Sequence, residues 1–335
     1  MHNFRTALTA LPAPFPITQA HRLLLIGSCF TEHISERLAE RKFNAICNPF
    51  GIVYNPHSMA QCLERIAAGN QPFTENDLFE NAGLWHSWEH HGRFSKPDKK
   101  ETLEGINAAC NVATEHLKKT DFLLLTFGTS DIFALRESGQ VVANNHKMPA
   151  GLFTKRRLSV PEIVEGTIQA LERVAHLQRV AHLEGVPHVK VILTVSPVRH
   201  LRNGLVENQR SKAALVLACE EICAQLDYVH YFPAYELLLD DLRDYRFYAA
   251  DMVHPSEVAV DYVWQFFSDM FFDEKTLRLN ERIEKIRTAA QHRPFHPNLT
   301  QHQAFIRAQL EAISKLKQEM PGLDFGEEER AFGAG

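Results

Sequence analysis

The chain has 335 residues, 45% of them hydrophobic and 23% charged, with a formal net charge of −5. That length and composition suit a globular chain able to bury a large core. A net negative balance gives no electrostatic footing for nucleic acid, which needs a basic face, and no stretch reaches the roughly 18–20 apolar residues of a membrane helix.

In chain order, an extended N-terminal arm comes first. It carries Pro12 and Pro14 and no unbroken apolar core, so it does not read as a secretory signal. Residues 22–26 predict a strand, with Leu23-Leu24-Leu25-Ile26 running straight into Gly27-Ser28-Cys29. Residues 29–41 predict an amphipathic helix with Phe30, Ile34 and Leu38 at helical spacing. A short strand at 43–47 leads into Asn48-Pro49-Phe50-Gly51 and Tyr54-Asn55-Pro56, a loop shaped by Asn-Pro pairs around a glycine. After a helix at 57–68, residues 71–98 break the rhythm. They are aromatic and histidine-rich (Trp85, His86, Trp88, His90, His91) and predict an inserted hairpin or lid.

A helix at about 100–118 and a buried strand at 121–127 follow, ending at Gly128-Thr129-Ser130-Asp131. Segments 132–136 and 140–143 flank Glu137-Ser138-Gly139 as a hairpin. The helix at about 160–184 holds a local tandem, Arg-Val-Ala-His-Leu at 173–177 and again at 179–183, which is not an architectural repeat. A strand at 189–195 ends at Ser196-Pro197; then come a helix at 207–225, a strand at 228–231, the Asp251–Ser256 segment and a helix at 257–272. Charged helices at 276–291 and 300–317, broken at Pro294, Pro297 and Pro321, predict a C-terminal extension packed on a main domain of 1–275. Apolar strands alternating with amphipathic helices mean a parallel sheet covered on both faces. Five such strands predict a three-layer α/β/α, flavodoxin-like fold.

Ser28 and Cys29 put a hydroxyl and a thiol side by side where a buried strand becomes a helix. Ligands bind at the carboxyl ends of the strands in such sheets, and a helix N-terminus stabilises negative charge. Ser28 is therefore the candidate nucleophile. A thiolate role for Cys29 is open on the same helix argument, but a neighbour of a cleft-facing Ser28 points elsewhere and packs. Asp251 and His254 lie three apart, with Pro255 next. An aspartate taking the Nδ1 proton would leave Nε2 free to accept a proton from a hydroxyl.

The six cysteines (29, 47, 62, 110, 219 and 223) form no CxxC pair, which points to reduced thiols in a cytoplasmic protein. Among the 18 histidines, His86, His90 and His91 form the densest group. Adjacent histidines seldom reach one ion and no HExxH accompanies them, so a pocket-lining lid is expected rather than a metal site. Arg199 and His200, just past a strand end, suit either a substrate carboxylate or phosphate or a structural ion pair. Asp131 reads as a turn residue.

Gly27-Ser28-Cys29-Phe30 resembles the signature of the GSCFA family, within the SGNH/GDSL hydrolase-like superfamily. The resemblance spans roughly residues 20–270. It runs through Asn48–Gly51, Tyr54–Pro56, His90-His91, Gly128-Thr129, Ala143–Lys147 with Pro149, and Ser196–His200, then Asn208 with Ser211–Ala213, Phe232–Glu236, Asp244–Tyr248 and Asp251–Ser256. His292-Arg293-Pro294-Phe295 is similar to the family's ending. The resemblance implies an SGNH-like parallel sheet with Ser28 as nucleophile and Asp251 and His254 as partners. It also implies an oxyanion hole of the Ser28 N–H, the Gly51 N–H and an asparagine from a third block. That block is Gly128-Thr129-Ser130-Asp131, without asparagine. Thr129, Ser130, Asn55, Asn144 and His146 are the candidates to fill the gap, and one lost donor costs about 10²–10³ in rate. Thr31, where the signature has alanine, is acceptable in a first helical turn.

The function expected is a serine hydrolase, an esterase or deacetylase removing a small O-acyl group from a small-molecule or carbohydrate ester, with no metal or organic cofactor. An O-acyltransferase is a close variant. A non-catalytic binding or assembly protein is the alternative of another class, motivated by the missing asparagine.

Overall fold

The computed structural model describes residues 6–69, 71–181, 189–292 and 300–333. β1 (Arg22–Gly27) runs into α1 (Cys29–Glu40), and β2 (Asn44–Cys47) precedes α2 (Pro56–Ala68). The hairpin β3 (Leu78–Asn81) and β4 (Leu84–Ser87) leads to α3 (Lys99–Leu117) and β5 (Phe122–Phe127). Next come β6 (Asp131–Leu135), β7 (Val141–Val142), β8 (Phe153–Arg157) and α4 (Val160–Ala181). β9 (Lys190–Val195), α5 (Leu205–Gln225) and β10 (Val229–Phe232) follow. The short α6 (Ala234–Glu236) continues as a π turn over Leu237–Leu242. The chain ends with α7 (Glu257–Phe271), α8 (Glu274–Gln291), α9 (Thr300–Glu319) and α10 (Gly326–Gly333).

Five strands form the central sheet in the order β2-β1-β5-β9-β10. Counted along the chain that is 2-1-3-4-5, the flavodoxin-like order, and it reverses between β1 and β5. β1 pairs with β5, β5 with β9 and β9 with β10, each in parallel. Alternation along a strand sends successive side chains to opposite faces. Leu24 and Ile26 of β1, Leu123 and Leu125 of β5, and Val191 and Leu193 of β9 share one core with α2 to α5. Leu23, Leu25, Leu124 and Ile192 are equally buried on the other face. The chain thus has the α/β fold expected, a central parallel sheet of five strands flanked by helices.

Besides the short α6 and its π turn, two elements were not expected. β8 joins the hairpin as a third strand, in the order β7-β6-β8. It contains the basic run Lys155–Arg157, whose charges masked its strand pattern; Lys155 and Arg157 both meet Asp131 across the β6–β8 ladder, at 2.5 and 3.5 Å. The helix α10 is the other. The last two residues of the second tandem copy, 182–183, lie outside the described residues, as do Arg293-Pro294-Phe295.

The chain divides into two compact units. One comprises Arg22–Ser35 and Ala45–Trp264 with the residues before Ala10. The other comprises Ala10–His21, Glu36–Asn44 and Gln265–Gly335. The boundary expected at 275 therefore falls inside the second unit. Specific pairings draw early segments into it: Gln19 donates to Asn280 at 2.7 Å, Arg287 pairs with Glu40 at 2.6 Å, and Phe43 stacks on Phe272. Apolar periodicity carries no record of such distant pairings. Ile283, Ile286, Ile313, Leu316, Phe325 and Phe332 form that unit's own core under α8 to α10. Among the described residues, no helix is long and apolar enough to cross a membrane.

Candidate active site

At the end of β1 the backbone leaves no room for a side chain. A Cβ on Gly27 would lie 2.6 Å from the Thr126 carbonyl oxygen. The Gly27 N–H is held by Asn48 Oδ1 at 2.8 Å, and its carbonyl accepts from Val53 at 3.0 Å. The next two side chains diverge. Ser28 is 0% exposed, and its hydroxyl donates to Ser196 Oγ at 3.0 Å. Cys29 is half-buried and stands on the wall of a cleft of about 450 Å³.

His254 lines the same cleft, with Tyr54, Asn55, Thr129, His200 and Arg199. Its Nδ1 donates to Asp251 Oδ2 at 2.6 Å. Asp251 Oδ1 in turn accepts from the Val253 and His254 amides at 2.9 and 3.0 Å. These donors, the His254 ring first, hold the Asp251 carboxyl down at about 2. The spacing that the sequence singled out therefore folds into an Asx-type turn carrying an oriented imidazole. Arg199 braces this turn: its amide donates to the Val253 carbonyl at 3.3 Å, and its guanidinium lies 3.9 Å from the Tyr248 ring centroid.

The expected orientation is thus reversed: Ser28 points into the protein and Cys29 faces the cleft. A strand-to-helix step turns consecutive side chains to different sides, and sequence alone does not say which turns where. Burial pushes the Cys29 thiol up, while the Phe30 and Cys29 amides at the start of α1 pull it down.

Gly51 does not line the cleft. Its N–H already donates to the Asn48 carbonyl at 2.7 Å, and His91 lies over it, with φ at +81° and 2.2 Å between a hypothetical Cβ and His91 Cβ. The Gly128 and Thr129 amides both donate to the Tyr54 carbonyl, at 2.8 and 2.9 Å. Thr129 Oγ1 meets Ser211 Oγ at 3.0 Å, and Ser130, fully buried, bonds to the same Ser211. Asn55 is different. Its Oδ1 caps α2 through Ser58 N–H at 2.8 Å, which fixes the amide orientation; its NH₂ has no hydrogen-bond partner among the described residues.

The histidine-rich hairpin is not the cleft's lid. His90 stacks on Phe50 at 4.3 Å and is buried, and burial takes it down to about 3. His146 is buried against His86 and bonds the Ser87 carbonyl at 2.8 Å. The cleft wall comes instead from the β6–β8 sheet and its loop, with Asp131, Phe133, Asn144, Asn145 and Lys155. Asn144 uses Oδ1 on the His146 amide at 2.8 Å. His200, mostly buried with Nε2 unpartnered, is lowered to about 4 by burial, then by Lys212. Among the described residues, no group of three or more His, Cys, Asp or Glu is arranged to hold a metal ion.

The GSCFA family matches residues 22–267, and the GSCFA domain protein C-terminal domain matches residues 283–334. The chain belongs to the GSCFA family. A search of curated proteins finds no match. Among solved structures, a carbohydrate esterase family 3 from Talaromyces cellulolyticus is similar at 9% identity with a TM-score of 0.32, covering 78% of this chain and 98% of that one.

In this GSCFA chain, three residues of the family-like blocks, assigned no role from sequence, are closed off from solvent. Ser196, Ser211 and Lys212 are all buried. The signal was present in α5, where Asn208, Ser211, Lys212 and Leu215 repeat at i, i+3, i+4 and i+7: polar residues occupy the stripe that should be apolar.

Proposed function

We propose that this GSCFA protein cleaves small O-acyl esters through a thioester on Cys29, with His254 as general base and Asp251 orienting it. The observation that carries this reading is that Cys29 shares a cleft with the Asp251-bound His254, whereas the Ser28 proton is committed to Ser196 in the interior. His254 Nε2 takes the thiol proton as Sγ attacks the acyl carbon. Collapse of the tetrahedral intermediate expels the alcohol oxygen, which receives that proton. Water, deprotonated by His254, then attacks the thioester; the thiolate leaves, regains the proton, and the acid departs. Two donors suit the oxyanion: the Cys29 N–H, opening α1 and so without an intrahelical acceptor, and the Asn55 NH₂. The substrate remains as the sequence suggests, a small acyl group such as acetyl on a small-molecule or carbohydrate hydroxyl.

The test is p-nitrophenyl acetate hydrolysis with mass spectrometry of the quenched enzyme. An acetyl adduct on Cys29, with turnover lost in Cys29→Ala and His254→Ala but kept in Ser28→Ala, is the expected result. Turnover surviving in Cys29→Ala, or an adduct on Ser28, would return the nucleophile to serine. Turnover unaffected by all three variants overturns the enzymatic reading.

A further inference from the structure

The chain as a whole is acidic, with a formal net charge of −5, but its cleft is not. Three cations line the cleft, Lys155, Arg199 and Arg202, against one carboxylate, Asp131. That carboxylate is over-matched, since Lys155 meets it at 2.5 Å and Arg157 at 3.5 Å. Glu207 does not relieve the excess, because Arg157 and Arg210 share it at 2.5 and 2.6 Å. The acids beside Cys29 and His254 are also occupied. Glu32 pairs with Arg93 at 3.3 Å, and Asp251 holds the His254 ring. An ammonium has three donors, so Lys155 keeps donors and uncompensated charge for a ligand.

The two arginines differ. Arg199 is committed to structure: its guanidinium lies 3.9 Å from the Tyr248 ring centroid, and Nη1 donates to the Met252 carbonyl at 3.5 Å. Arg202 is exposed and makes no side-chain hydrogen bond or ion pair among the described residues. Its backbone, by contrast, is fixed. It sits in a one-turn helix, Leu201–Asn203, closed by the Gly204 amide on the Leu201 carbonyl at 2.9 Å. Just before that turn, Asn208, buried on α5, accepts the His200 amide on Oδ1 at 2.9 Å. A buried side chain thus anchors the segment that carries an unpaired guanidinium on the cleft wall.

We propose that the ester taken by this cleft carries an anionic group, a carboxylate or a phosphate, on its alcohol part, bound by Arg202 and Lys155. The inference rests on the esterase reading and names the class of alcohol that the reading leaves open. The acyl part there is small, and an acetyl group has no charge, so the anion belongs to the leaving alcohol. The planar fork of an arginine takes two oxygens of such a group at once. Lys155, anchored through Asp131, adds a point charge from the β6–β8 wall. At about 450 Å³ the cleft has the size of a small-molecule site.

Binding and turnover are measured separately on the full-length protein. Calorimetry reads the affinity for p-hydroxybenzoate, p-hydroxyphenyl phosphate and neutral p-hydroxybenzamide, and their acetyl esters give kcat/KM. A charged probe should bind about tenfold or more tightly than the amide, with the gap shrinking as salt rises from about 0.05 to about 0.5 M. Arg202→Gln and Lys155→Gln should each narrow that gap by about five- to tenfold, and the charged-to-neutral ratio of kcat/KM with it. Lys155→Gln leaves Asp131 its contact with Arg157, and Arg202 is exposed, so neither substitution disturbs the core. Lys100→Gln, which removes an exposed cation on α3 outside the cleft, should leave the gap as it is. The tighter of the two charged probes identifies the group as carboxylate or phosphate. Equal affinity for all three probes, or a gap that both cleft variants leave intact, overturns the anionic substrate; the esterase reading then stands if the esters turn over. A charge-dependent gap in a chain that turns over none of the esters keeps the anion site and overturns the esterase reading.

Discussion

Ser28, at the end of β1, donates its hydroxyl to Ser196, at the end of β9, across the strand that separates them. On the proposed reading this 3.0 Å bond is structural: Ser28 is closed to solvent and Ser196 Oγ also accepts the Val198 amide at 3.3 Å. Ser28→Ala should therefore cost stability rather than chemistry. One buried neutral hydrogen bond is worth about 1 kcal/mol, to be read from the urea midpoint. Ester turnover per folded molecule should stay within a few-fold of wild type, and a loss of several orders of magnitude would contradict the assignment.

Asn55 carries two jobs that can be separated. Its oxygen caps α2, and its nitrogen is proposed to face the oxyanion. Serine caps a helix about as well as asparagine, but brings no amide donor. Asn55→Ser should leave the melting temperature nearly unchanged, lower kcat by about 10²–10³ and barely alter KM. A drop in stability with kcat intact would confine Asn55 to its capping role.

Gly51 is the converse case, a position that the superfamily pattern assigns to the oxyanion hole. Alanine there meets a positive φ and the His91 side chain, which should cost about 2–4 kcal/mol. The Gly51 amide is already bonded to Asn48, so the folded fraction of Gly51→Ala should keep its kcat. Chemical denaturation and active-site titration measure the two quantities separately, and a specific kcat loss of 10²–10³ would restore Gly51 to catalysis.

These three residues mark how far the sequence could be read. The strands, their order and the Asp251–His254 turn were legible because apolar runs, Gly and Pro punctuation and three-residue spacing are local properties. The choice between Ser28 and Cys29 was not, because it depends on the rotation of one strand-to-helix step against Ser196, 168 positions away. The use of the Gly51 amide was hidden for a similar reason: its acceptor is a backbone carbonyl, invisible in side-chain patterns. The charged β8 and the early segments of the second unit escaped because their partners, Asp131 for one and Asn280 and Arg287 for the other, are set by tertiary pairing.

The pH response should divide the site from its support. Asp251 is lowered to about 2, chiefly by the His254 ring. A depressed carboxyl stabilises the fold above its unfolded value near 3.8 and loses that contribution only as pH falls through about 2, so the Asp251–His254 pair persists through any ordinary assay range. Buried histidines act with the same sign in a higher pH window. His146 is lowered to about 4 by burial, so between pH 6.5 and 4 the unfolded chain binds a proton that the folded chain does not. Stability then falls as pH drops through that window. His146→Gln, which can keep the bond to the Ser87 carbonyl, should flatten the slope of unfolding free energy between pH 6.5 and 4 by up to one proton's worth. Urea unfolding at pH 7, 5.5 and 4.5 measures it, and an unchanged slope in the variant would show that His146 titrates normally in the folded protein.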